Sequence, residues 1–250
     1  MAGCPVLLPE GDLPAVPYNT LPERVEELAA VADKVHQTSR KQDDLVRART
    51  ALKKADHIRP DDYGTLWRLA RVDGVLARLD EPHGEEWARE GRSAGARARE
   101  LKDAGVEGHL YFAIALGLAA KYDPASADPL IKQLIAEAER ADALDSAYAG
   151  GEARRVLGAI YIYAPPWPTG AGDLDEAIEV LESLNKDFPD EGLNAFYLAE
   201  AYRKADQPQD AIGLYKHVLS LPRRGTWGLE GKPYRRQARE LIRRLRNPRK

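Results

Sequence analysis

One cysteine, Cys4, occurs in 250 residues, and only three phenylalanines and four tryptophans accompany it. A single cysteine excludes an intrachain disulfide framework and a cysteine-rich zinc site. Long apolar runs are also missing. The longest, Leu110 to Ala120, spans 11 residues, whereas a membrane-spanning helix needs about 20. No segment alternates polar and apolar residues as a half-buried strand would. Catalytic signatures are equally scarce. His36, His57, His83, His109 and His217 are scattered, with no H-E-x-x-H pair, and no P-loop motif occurs. The expectation is a protein with no enzymatic activity, no metal and no cofactor.

Hydrophobic residues at 44% and charged residues at 31% fit an ordinary globular chain. The net charge of -3 hides an asymmetry. Residues 221–250 carry 11 basic residues against two acidic ones, Glu230 and Glu240, while the first 220 carry 26 basic against 38 acidic. The body is acidic and the tail basic.

Pro5, Pro9, Pro14, Pro17 and Pro22 make the start of the chain an extended tether over residues 1–20. Ala2-Gly3-Cys4 resembles the end of a bacterial lipoprotein signal, in which the cysteine becomes the acylated N-terminus. That resemblance implies lipidation of Cys4, membrane attachment and a periplasmic location. The alternative is a free cysteine in a cytoplasmic chain.

The remainder shows helical periodicity. It predicts helices near 21–37, 43–57, 62–80, 84–103, 107–122, 126–142, 151–163, 173–187, 192–205, 208–220 and 232–246. So many short helices call for a search for repeats. Residues 192–222 place Leu198, Ala199 and Tyr202 on one helix, Ala211 and Tyr215 on the next, and Pro222 after it. This resembles the 34-residue tetratricopeptide (TPR) pattern. Small residues let paired helices approach, and aromatics fill the groove beside them. The same register fits Leu157, Gly158 and Tyr161 with Ala177, Leu181 and Leu184, ending at Pro189. Ala48, Leu52 and Ala55, then Leu66, Leu69 and Ala70, extend it upstream. Trp87, Gly91, Gly95, Ala98 and Leu101 share one face in the middle, whose register is ambiguous by one or two residues. The predicted fold is all-α: antiparallel helix pairs stacked as a TPR-like right-handed superhelix over residues 21–222. A basic capping helix over residues 223–250 closes it.

The A-to-B turn of one repeat holds seven extra residues, Ala164-Pro165-Pro166-Trp167-Pro168-Thr169-Gly170. With Gly150-Gly151, Arg155-Val156-Leu157-Gly158 and Gly172-Asp173, this segment resembles the T-component family associated with tripartite (TRAP) transporters. Leu66-Trp67-Arg68-Leu69-Ala70-Arg71 is similar to a second family segment. The resemblance covers residues 43–220 and is specific around 150–180. It implies a non-catalytic envelope lipoprotein that docks with a periplasmic substrate-binding subunit and handles a small apolar or acidic ligand; it also implies self-association into a homo-oligomer. The basic tail stands apart from the family pattern. A general TPR scaffold for a peptide or protein partner, without a transport role, is the alternative.

In TPR superhelices the first helix of each pair lines the concave surface. The register puts Trp67, Arg155 and Phe196 at one inward position of three repeats, with Phe112 as a fourth. Arg71, Tyr163, Arg203 and Lys204 lie one to two turns along. Aromatics and arginines offer rigid area and directional donors, which suits binding. The expectation is a groove with an aromatic floor and cationic edges, and Trp167 is a further candidate contact on its proline-stiffened loop. Inter-repeat packing is the competing use for all of these. Asp173 and Glu176 have capping-box spacing. On the last helix, Tyr234, Ala238, Leu241, Ile242 and Leu245 form an apolar face, and arginines cover the rest. Capping explains that pattern; an anionic membrane or an acidic partner is the functional alternative. The acidic body and the lack of a groove-reading motif argue against nucleic acid.

Overall fold

Aspartates and glutamates open many of the helices. Asp62 Oδ2 accepts from the Thr65 amide at 2.8 Å and the Thr65 hydroxyl at 2.9 Å. Asp43 and Asp44 stand in one first turn, and Glu85 and Glu86 in another, where carboxylates favour the positive helix end. Asp173 Oδ1 caps the amides of Asp175 and Glu176 at 3.0 and 3.1 Å. The return arm of that capping box is replaced by a tertiary bond: the Asp173 amide donates to the Tyr161 carbonyl at 3.0 Å.

The computed structural model describes residues 17–166 and 168–247. Cys4, most of the tether and Trp167 lie outside the described residues. Two compact units divide after Leu144. The first holds α1 (Val25–Thr38), α2 (Gln42–Ile58), α3 (Tyr63–Leu79), α4 (Gly84–Leu101), α5 (Val106–Tyr122) and α6 (Ala127–Leu144). The second holds α7 (Glu152–Tyr163), α8 (Leu174–Asp187), α9 (Gly192–Lys204), α10 (Pro208–Ser220) and α11 (Gly225–Arg246). No extended strand occurs among the described residues.

In the first unit consecutive helices pack in pairs, and α3 also touches α1 and α5. That is the contact pattern of stacked helix pairs. Ala48, Leu52 and Ala55 of α2 and Leu66, Leu69 and Ala70 of α3 are buried, as the repeat register requires. The small-residue face of α4 brings its neighbours close. A Cβ at Gly95 would stand 2.9 Å from Phe112 Cα, and one at Gly91 would stand 3.1 Å from Asp73 Cβ. Leu101 departs from this face and is 48% exposed. It is the last residue of α4.

In the second unit Gly158 lies on Leu181, where an added Cβ would approach within 2.6 Å. Gly150 and Gly151 turn the chain into α7 with φ of 68° and 75°, values that favour glycine. The loop between α7 and α8 folds on itself: the Gly172 amide donates to the Pro165 carbonyl at 2.8 Å. Helix α11 starts at Gly225 rather than near residue 232, and runs through Pro233. Trp227 causes the extension. Its ring is buried against Gly192 and Gly231, so the first turns of α11 are fastened to α9. Pro233 is exposed, where its missing amide and ring meet solvent. Trp227, Ala238 and Ile242 join Leu193, Phe196, Ala199 and Tyr215 in one core, so α11 covers the end of this unit.

Candidate functional site

In the first unit Trp67 and Arg71 lie side by side. Trp67 is 7% exposed and stacks on Tyr111 at 5.8 Å with planes 12° apart. The guanidiniums of Arg68 and Arg71 lie 4.1 and 4.8 Å from the Trp67 ring. Both reach Asp33 on α1: Arg68 Nη2 donates at 2.8 Å and Arg71 Nη2 at 2.7 Å. Burial pushes the Asp33 carboxyl up, but the hydrogen bonds from the two arginines outweigh it and hold its pKa below the ordinary value. Trp67 and Arg71 therefore bind α3 to its neighbours. Phe112 is also interior, with the Arg99 guanidinium 5.6 Å from its ring.

Phe196 is not the floor of an open groove. It is 2% exposed, with Tyr234 at 5.0 Å, Tyr215 at 5.8 Å and Tyr197 at 6.1 Å between ring centres. The repeat register cannot reveal that α11 brings Tyr234 over this position. Arg155 is likewise a buried fastening. Its Nη1 donates to Asn194 Oδ1 at 2.7 Å, and Asn194 Nδ2 donates to the Gly150 carbonyl at 3.1 Å.

Tyr163 and Arg203 meet at one carboxylate that sequence reasoning missed, with Lys204 beside the Tyr163 ring. Glu200 is buried and accepts from Arg203 Nε at 3.1 Å, Arg203 Nη2 at 2.9 Å, the Tyr163 hydroxyl at 3.3 Å and, more closely, the Tyr215 hydroxyl. Burial pushes Glu200 up, yet the hydrogen bonds from Arg203 and Tyr215 prevail and its pKa falls below 4.5. Burial and the Glu200 charge raise both tyrosines. Lys204 Nζ donates to the Ile162 carbonyl at 2.8 Å and lies 4.7 Å from the Tyr163 ring. Tyr163 is 51% exposed, but Arg203 and Glu200 behind it neutralise each other. The available signal was an acid set between Ala199 and Ala201, two small core residues.

A different surface of the first unit is open. A groove of about 540 Å³ runs along α4, floored by Leu66, Leu69, Phe112 and Leu116. Lys53, Arg89, Arg92 and Arg97 line its walls. Lys53 is held by Glu90 at 3.1 Å, and Arg97 pairs with Asp61. Arg89 reaches Glu86 only at 3.8 Å, and Arg92 pairs with no carboxylate among the described residues. A second cavity of about 260 Å³ shares Arg89 and Arg92 and adds Tyr122 and Leu130. Phe112 is the one predicted site residue that lines this groove; the arginines of α4 were not singled out in the sequence.

A buried charge network fixes the wall. Arg49 of α2 donates to Asp73 of α3 at 2.7 Å and closely to Glu90 of α4, and its guanidinium lies 4.6 Å from the Trp87 ring. Trp87 Nε1 donates to Asp80 at 3.0 Å. Burial works against the Arg49 charge, but Asp73 and Glu90 outweigh it and raise its pKa. Arg49, Asp73 and Glu90 are thus committed to each other, while Asp56 Oδ1, also in the lining, has no hydrogen-bond partner among the described residues and Arg92 and Arg89 face the groove. No group of three His, Cys, Asp or Glu among the described residues stands ready to hold a metal ion. His109 instead fastens α5 to α6 through Glu137 at 2.6 Å.

Residues 28–129 match the family described as regulator of microtubule dynamics protein 1-3. No curated protein matches the chain. Among solved structures, the chain is similar to TTC0263, a thermophilic TPR protein of Thermus thermophilus. Identity is 15%, the match covers 87% of this chain and 98% of that one, and the TM-score is 0.65. It is also similar to yeast Tom70, with 12% identity over 89% of this chain and 47% of that chain, at a TM-score of 0.50. By their descriptions, neither these two nor the matched family is a transporter T-component. At such identities the likeness concerns the fold alone: the chain has an all-α, TPR-like fold.

Proposed function

We propose that this protein is a TPR-type scaffold that binds a segment of a protein partner in the α4 groove. One observation carries the reading: an apolar floor lies beside Arg92, a guanidinium with no carboxylate partner among the described residues. Arginine forks recognise carboxylates bidentately, and apolar floors take aliphatic or aromatic anchors. The matching partner is a short segment with acidic residues next to apolar ones. Peptide-display selection against the wild type and an R89E/R92E variant tests this. Selected peptides should carry that composition and lose binding to the variant, while the helical circular-dichroism signal stays. Peptides that bind both proteins equally would sink the groove reading.

A finer reading rests on the motif residues between Gly150 and Ala177. In it, the scaffold is T-component-like, anchored through Cys4 in the envelope, and its partner is a periplasmic substrate-binding subunit. Mass spectrometry of the native N-terminus checks this. An acyl chain on Cys4 supports it, and an unmodified cysteine returns the protein to the general scaffold class.

A further inference from the structure

Helix α11 carries a charge pattern that its capping role does not use. Lys232, Arg236, Arg239, Arg243 and Arg246 are all exposed. Their spacing of four, three, four and three residues puts them on one stripe. The stripe is about 21 Å long at 1.5 Å per residue. None of the five pairs with a carboxylate among the described residues; the ion pair of this helix, Arg244 with Glu240, lies to one side. Arg235, buried beneath, has its Nη1 3.4 Å from the Trp227 carbonyl. Burial and the like charges of Arg223 and Arg239 lower its pKa.

The opposite face of the helix is already spent. Ala238 and Ile242 are in the core, and Tyr234, Leu241 and Leu245 pack on it. Helix α11 therefore has no apolar side left to insert into a lipid layer. A long polyanion would run past the stripe onto the rest of its own unit, where residues 145–220 hold 13 acidic residues against 6 basic. A short helix with carboxylates at the same period fits better, and this chain has one. On α8, Asp175, Glu179 and Glu182 are exposed at i, i+4 and i+7. Asp175 and Glu179 have no cationic partner among the described residues, and Glu182 accepts only from the Tyr202 hydroxyl.

We propose that the α11 stripe docks on the α8 acidic stripe of a second copy of this chain. Exposed ion pairs each contribute little, so the contact is weak, transient and salt-labile. It sets copies beside one another without using the α4 groove, and its success or failure is independent of that groove.

Sedimentation equilibrium of the full chain tests it. The wild type should self-associate at about 0.01 M ionic strength and dissociate at about 1 M, as the screening length falls from about 30 Å to about 3 Å. R236E/R239E/R243E and D175K/E179K/E182K should each weaken self-association by at least about tenfold, and an equimolar mixture of the two should associate again. The volume-conserving E179Q/E182Q variant should weaken it partly, which guards against loss of fold in the triple variant. A wild type that stays monomeric at low salt would overturn the proposal, as would a mixture that fails to associate. Binding of the monomer to phosphatidylserine vesicles without self-association would assign the stripe to a lipid surface and would also overturn it.

Discussion

Apart from the α11 stripe, the two units treat the cations of their paired helices differently. In the second unit Arg155, Arg203 and Lys204 are all engaged internally, by Asn194, by Glu200 and by the Ile162 carbonyl. In the first unit the internal acids Asp73 and Glu90 are taken up by Arg49, which leaves Arg89 and Arg92 at an open groove. A cation at a repeat position is therefore not a binding residue by virtue of its position. What decides is whether the folded surroundings bring it an acceptor, whether carboxylate, amide or backbone carbonyl.

The largest effects should come from breaking each unit's internal pairing. Arg49→Met leaves Asp73 buried without its counter-ion and should cost about 3–5 kcal/mol. Chemical denaturation measures the loss, and hydrogen exchange should locate it in α2 to α4. Phe196→Ala removes a ring enclosed by three tyrosines and should cost about 3–5 kcal/mol in the second unit. A fully folded variant of unchanged stability would mean that the ring belongs to a surface after all.

Gly95→Ala comes next. Its Cβ would meet Phe112 Cα at 2.9 Å, backbone against side chain, and overpacking of this kind costs about 1–3 kcal/mol. Unfolding midpoints should fall accordingly, and a neutral result would mean that α4 and α5 can separate freely. The pH dependence sharpens the second unit. Glu200 has a folded pKa below its ordinary 4.5, so its stabilisation is present above 4.5 and disappears as pH falls through the lowered value. Glu200→Gln should flatten that part of the stability–pH curve. Smallest in stability is Arg92→Glu at the groove, within about 0.5 kcal/mol. Its expected effect is on binding of acidic peptides, measured by fluorescence anisotropy.

Much of the fold was legible because a helix is a local object. Capping residues and the 3.6-residue period place Asp62, Asp173 and the buried faces of α2, α3, α9 and α10 without knowledge of any distant residue. The start of α11 was not legible, since Gly231 and Pro233 look like breakers until Trp227 is seen lying on Gly192. The candidate site was read less well. The register named Tyr163 and Arg203 as groove residues but not Glu200, the buried carboxylate that both reach. The groove arginines of α4 also went unnoticed, since nothing local distinguishes Arg92 from a paired surface arginine.

The sequence alone determined the class of structure, the helix pairs and the separation of an acidic body from a basic end, because periodicity and composition act over a few residues at a time. Only the tertiary structure decided which aromatics are core and which cations are free. Burial and ion pairing are set by residues 20 to 40 positions away, such as Asp73 for Arg49 or Tyr234 for Phe196, and no local pattern encodes that proximity.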